Sequence, residues 1–204
     1  MPTSSGLSPH PAPARTRGLT PRAGAWRTRP LGRDLVIDGV RDLLAGRSDV
    51  LTFRGRCMPM GRGTIDLLTA GPGGVTVIGA LPVRGTTLTV RRTGAGGFAE
   101  PRGLRLLVDG RDQTAAAQLL ERQVTAVRHA LAEGAHHALG VPPVRGVLCL
   151  PDADGLPPFT SVRVHEVDVD CPEGAAWVAA RRGELSAEHV LRLARRLERA
   201  FPRS

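Results

Sequence analysis

The chain has 204 residues, 41% of them hydrophobic, which suffices for one well-packed domain. Its formal charge of +9 rests on arginine alone, because the sequence holds no Lys, and no Tyr or Asn either. The balance favours an acidic partner such as nucleic acid, as does GC-rich coding without any partner, and it excludes lysine chemistry; aromatics at 3% exclude a base-stacking platform.

Residues 1–30 form a region apart, mixing Pro, Ser, Gly and Ala with five arginines and no acid. The segment has neither helical nor strand periodicity, and reads as a disordered basic tail able to add salt-dependent attraction to phosphates. It shares its lack of acids with organelle transit peptides, but its prolines oppose their amphipathic helix. Residues 31–204 read as one α/β domain.

From Asp34 to Ala45 an apolar stripe of Leu35, Val36, Val40, Leu43 and Leu44 predicts a helix that ends at Gly46. Val50–Arg54 and Thr64–Ala70 read as strands, and "GPGG" at 71–74 turns the second into a buried strand, Val75–Ile78. Thr86–Arg92 and Leu104–Val108 continue the strand pattern across a glycine break. In that break Gly94, Gly96 and Gly97 make no dinucleotide fingerprint, since no helix opens after them. "GRDQT" at 110–114 combines a turn glycine with Asp112 ahead of a helix start, a capping arrangement. Arg111 beside it would face any phosphate at that helix end.

Thr114 to about Ala132 is predicted as a long helix with Leu120, Val124, Val127 and Leu131 on one face. Val144–Leu150 is a continuous apolar strand of the kind buried on both faces. The valines of Ser161–Val169 switch parity between Val164 and Val167, which predicts a bulge near His165. Ser186 caps a last helix to Phe201, with Val190, Leu193, Leu197 and Phe201 inward and Arg192, Arg195, Arg196 and Arg199 outward. Those four arginines are a solvated face unless they join Arg91, Arg92 and the tail in a nucleic-acid patch. The order of elements predicts a mixed α/β sheet flanked by helices.

His136, His137 and His129 read as surface imidazoles around a helix end rather than a metal cluster. "DADG" at 152–155 lacks the third acid and closing Glu of a calcium loop and reads as a strand-ending turn. Cys57, Cys149 and Cys171 are odd in number and form no CxxC pair, which argues against a disulfide framework. With no signal-peptide core and no apolar run near the ~18 residues of a span, a cytoplasmic protein with no membrane partner is expected.

Three collinear pieces, "TIDLLTAGPGGVTVIGALPVRG", "LRLLVDGRDQTAAAQLLERQVTAVRHAL" and "VRGVLCLPDAD", resemble the nuclease-related domain (NERD) proteins, in particular their stand-alone bacterial form. That family is similar to the PD-(D/E)XK nucleases, so the resemblance implies a restriction-endonuclease-like αβββαβ core with a C-terminal strand and helix added. It also implies a site: Asp66 matches the first metal-binding acid and Gln123 a helix glutamine. Gly79 stands where the second Asp would be, Leu81 where the Lys would be, and Leu67 where His is usual. At the early helix Gly32-Arg33 replaces a usual Gly-Glu, leaving Asp34 as the nearest acid.

Such enzymes grip Mg²⁺ between two carboxylates, the scissile phosphate and water. Losing one electrostatic group of this kind costs about 10²–10³ in rate, and at least two are missing here. Arg84 is close in sequence to the missing Lys but is bulkier and never deprotonated. The resemblance therefore implies a degenerate, catalytically inactive member without a cofactor, DNA-associated or partner-binding through its basic surface. The enzyme rival is a Mg²⁺-dependent DNA endonuclease using Asp66 with a relocated acid, Asp34 or Glu100. The third reading is a protein-binding accessory with no nucleic-acid role.

Overall fold

The computed structural model describes residues 32–59, 63–83, 87–93, 103–133, 141–151 and 162–204. The N-terminal tail, Arg84, the 94–97 glycines, Glu100, His136, His137 and the 152–155 turn lie outside the described residues.

Helix α1 (Arg33–Leu44) opens the fold, burying Val36, Ile37, Val40 and Leu44. Strands β1 (Leu51–Cys57), β2 (Thr64–Gly71) and β3 (Gly74–Ala80) follow as an antiparallel meander. A separate antiparallel sheet comes next, built from β4 (Leu88–Thr93), β5 (Gly103–Val108) and the two-residue β6 (Arg111–Asp112). Helix α2 (Thr114–Ala132) then crosses over to β7 (Val144–Cys149), which pairs in parallel with β3. The hairpin β8 (Val162–Val164) and β9 (Val167–Asp170), helix α3 (Pro172–Ala179) and helix α4 (Ala187–Ala200) complete the chain. The main sheet has the order β1-β2-β3-β7-β9-β8, with β9 parallel to β7. The protein is thus a mixed α/β fold with a six-stranded sheet between helical layers.

The cores follow from this sandwich. Every residue of β3 is buried, as a central strand covered on both faces requires. On one side Leu120, Val124, Val127 and Leu131 of α2 pack with Val190, Leu193 and Leu197 of α4 and with Val75, Val77 and Leu148 of the sheet. On the other, Val36, Ile37 and Val40 of α1 join Ala175, Ala176 and Ala179 of α3 over Leu67, Ile78 and Val147. The small sheet adds Leu106 and Val108 to the α2 side. Among the described residues no helix is long and apolar enough to cross a membrane.

Local chemistry accounts for the element ends. Asp112 Oδ1 accepts the Thr114 N–H at 2.8 Å; the Thr114 side chain first, and this backbone N–H second, hold the carboxyl below its ordinary value. Ser186 Oγ accepts the His189 N–H at 3.3 Å at the start of α4. Asp109 and Gly110, with φ of +45° and +76°, make the tight turn that sets Val108 against Arg111.

Two expectations from sequence are corrected, and one helix was not foreseen. The parity switch near His165 is not a bulge: Val164 pairs with Val167 across a two-residue turn in which His165 has φ +56°. The two strands after residue 86 leave the main sheet and form their own. Helix α3 carries only small residues on its buried side, so its pattern shows no large apolar stripe.

The C-terminal residues cover part of the β1 edge. Cys57 N–H donates to the Pro202 carbonyl at 2.8 Å, and Ser204 N–H to the Gly55 carbonyl at 3.1 Å. Gly55, at φ +56°, interrupts the strand alternation, so that Arg56 turns its guanidinium over the Phe53 ring, 5.2 Å from its centroid.

The β2–β3 turn depends on Gly74, whose φ is +111° and where an added Cβ would lie 2.3 Å from the Pro143 carbonyl oxygen. Gly74→Ala is expected to lower stability by about 2–4 kcal/mol in urea unfolding, from backbone strain and a clash with rigid main chain.

Candidate functional site

The β2–β3 ladder is registered as far as Leu67 opposite Ile78. One step further brings Asp66 alongside Gly79. At this point β3 still pairs with β7 on its far side, where the Leu81 N–H donates to the Cys149 carbonyl at 2.9 Å. Successive N–H groups of a strand point to opposite neighbours, so the Ala80 N–H faces β2. Asp66 meets it: Oδ2 accepts that N–H at 2.9 Å. The acid thus substitutes for a missing rung where the two strands part.

Gln123 is 5% exposed and donates from Nε2 to the Thr64 carbonyl at 3.1 Å, tying α2 to the start of β2. The structure brings Asp66 and Gln123 to the same end of β2 and gives each a backbone partner.

Gly79, where the resemblance would put a second acid, is surrounded by hydrocarbon. A Cβ at Gly79 would sit 3.3 Å from Leu120 Cδ1 of α2, so a carboxylate there must displace Leu120. Leu81, at the place of the Lys, is buried in the α2-side core, and Leu67 in the α1-side core. An ammonium or imidazole at either position would be desolvated without a partner.

Asp34 does not approach this site. It belongs to α1, 87% of its side chain is exposed, and Arg54 of β1 binds it together with Asp38. Among the described residues no three His, Cys, Asp or Glu side chains gather in a way that could hold a metal ion. A divalent cation needs several oxygen ligands, and Asp66 offers one carboxylate with one oxygen already engaged, so these residues do not fit such an ion. Nor do Cys149 and Cys171 offer a nucleophile: burial pushes the Cys149 thiol well up and the Cys171 thiol up to about 11.

The seven arginines nominated for nucleic acid separate into two groups. Arg196 is not part of an outward face. Its Nη2 donates to the Ala130 carbonyl at 3.2 Å and to the Leu131 carbonyl, closing the last turn of α2. Arg192 pairs with Glu188 at 3.1 Å. Arg195 and Arg199 are exposed on α4, and Arg91 and Arg111 on the small sheet, without an ion pair among the described residues. Arg92 lies on β4 opposite Leu104. The arginine that pattern reading missed is Arg56, 5% exposed, with Glu198 3.6 Å from Nη2 and Nε without a partner.

No family model matches the chain, and no curated protein or solved structure matches it either.

Asp66→Ala is expected to cost about 1–3 kcal/mol of stability by stranding the Ala80 N–H, and Asp66→Asn, which retains an acceptor oxygen, appreciably less. In the same denaturation series Arg196→Met should cost about 1–2 kcal/mol by uncapping α2, against less than about 0.5 for Arg195→Met.

Proposed function

We propose that this chain is a NERD-like α/β domain whose nuclease centre is degenerate, and that it associates with DNA, or with a protein partner, without cutting nucleic acid. The observation that carries this reading is the place of Asp66, one step beyond the last β2–β3 pair and alongside Gly79, with Leu120 packed over Gly79. An acid that would grip a cation faces a position where a second one would press on Leu120, and one of its own oxygens is spent on the Ala80 N–H. No metal cofactor is expected on this reading.

Association with DNA rests on charge. The N-terminal 30 residues carry five arginines and no acid, and Arg91, Arg111, Arg195 and Arg199 are exposed on the folded domain. Contacts of this kind are sequence-independent and weaken steeply with salt. We place the protein in the cytoplasm, in keeping with three free cysteines in a reducing compartment.

The test is a plasmid-nicking assay with Mg²⁺ or Mn²⁺. The expected outcome is no cleavage by the wild type and none by Gly79→Asp, which restores the acid but not the space for it. Metal-dependent nicking by the wild type that disappears in Asp66→Asn overturns the proposal and establishes the endonuclease instead.

A further inference from the structure

The register of the small sheet sets two arginines directly against each other. Arg91 of β4 pairs with Arg105 of β5. Their neighbours decide which way they face: Val90 pairs with Leu106 and Leu88 with Val108, and Leu106 and Val108 are buried in the α2-side core. Arg91 and Arg105 therefore belong to the opposite, solvent face, and both are exposed. Side chains opposed in this way stand about 4.5–5.5 Å apart at Cβ, where like charges repel and destabilise the sheet.

Among the described residues no acid pairs with either guanidinium. The nearby acids are already engaged by main chain: Asp112 takes the Thr114 N–H and Asp109 the Thr87 N–H, each at 2.8 Å. Asp112 still feels Arg105 at longer range, and that attraction adds to the lowering of its pKa. Arg111, exposed at the adjoining turn, adds a third cation. Among the described residues of this sheet and its turn, Arg91, Arg105 and Arg111 face only Asp109 and Asp112.

We infer that the solvent face of this sheet, centred on Arg91 and Arg105, is the surface that receives the phosphate backbone of duplex DNA. The inference rests on the DNA reading above and assigns it a place. A phosphate seated between two opposed guanidiniums removes their repulsion and gains two charge-assisted hydrogen-bond donors. Thr89 and Leu107, the next pair along the same face, are not aromatic, so the face offers no platform for unstacked bases. That selects a duplex over a single strand.

The experiment compares the full-length wild type with Arg91→Thr/Arg105→Thr, and with the exposed pair Arg181→Thr/Arg182→Thr after α3 as a control expected to bind as the wild type does. Binding to a short labelled DNA duplex is measured across a salt series, and thermal unfolding of each free protein is followed alongside. Removing the sheet pair should weaken duplex binding and flatten the log–log salt slope by roughly one, at about 0.9 for the phosphate the two arginines share. The same variant should unfold at the same or a higher temperature, because a repulsion has been removed.

Four outcomes overturn the inference. If the wild type binds duplex and the sheet variant binds equally with an unchanged slope, the surface is wrong while DNA association stands. If the wild type shows no duplex binding at low salt, DNA association itself fails. If single-stranded DNA is bound in preference to duplex, the choice of occupant is wrong. A sheet variant that loses binding only together with a lowered unfolding temperature also counts against the surface, since the arginines would then be structural.

Discussion

Helix α2 lies against the central sheet at a separation that glycine permits. It crosses β3 and β7 at Gly79 and Gly146, where added Cβ atoms would stand 3.3 Å from Leu120 Cδ1 and 2.7 Å from Val124 Cγ2. The close approach lets Leu120 and Val124 fill the sheet groove and continue through Val127 and Leu131 to α4. A polar side chain on either glycine would push the helix outward and open the core along its length. The absence of an acid at residue 79 and the tight seating of α2 are therefore one structural fact.

The basic charge is likewise put to internal use. Arg54 joins β1 to α1 through Asp34 and Asp38, and Arg128 joins α2 to the β8–β9 turn through Glu166 and to the Val144 carbonyl. Arg47 reaches both Asp49 and the Ala180 carbonyl, and Arg196 closes α2. In each case a planar guanidinium serves two acceptors at once, which a lysine ammonium does with less geometric constraint. Net charge alone therefore overstates what is available to a partner; only cations left without an acid or a carbonyl remain for one.

Much of this was legible in the sequence, for identifiable reasons. The α2 stripe has a clean 3.6-residue period and its start is marked by Asp112, so both its extent and its face could be read. The buried run at Val144–Cys149 and the glycine turn before β3 are similarly direct. What escaped depends on contacts or on single backbone conformations. A left-handed His165 makes a turn that valine parity alone renders as a bulge. The roles of Arg196 and Arg56 depend on carbonyls remote in sequence, at Ala130 and Phe201. At the candidate site the residue types at 66, 79 and 123 were readable, whereas the obstruction by Leu120 was not.

Those three positions explain how the sheet tolerates parting at its end. Where β2 and β3 separate, the ladder leaves backbone groups that would cost free energy if buried and unpaired. Asp66 supplies the acceptor for Ala80, and Gln123 supplies the donor for Thr64. A water-filled cleft would meet the same groups without either side chain. Leu120 instead brings hydrocarbon over Gly79, and with that cover in place protein atoms must do the pairing. Asp66 and Gln123 thus have a role in holding this end of the fold that requires no ion, substrate or chemistry.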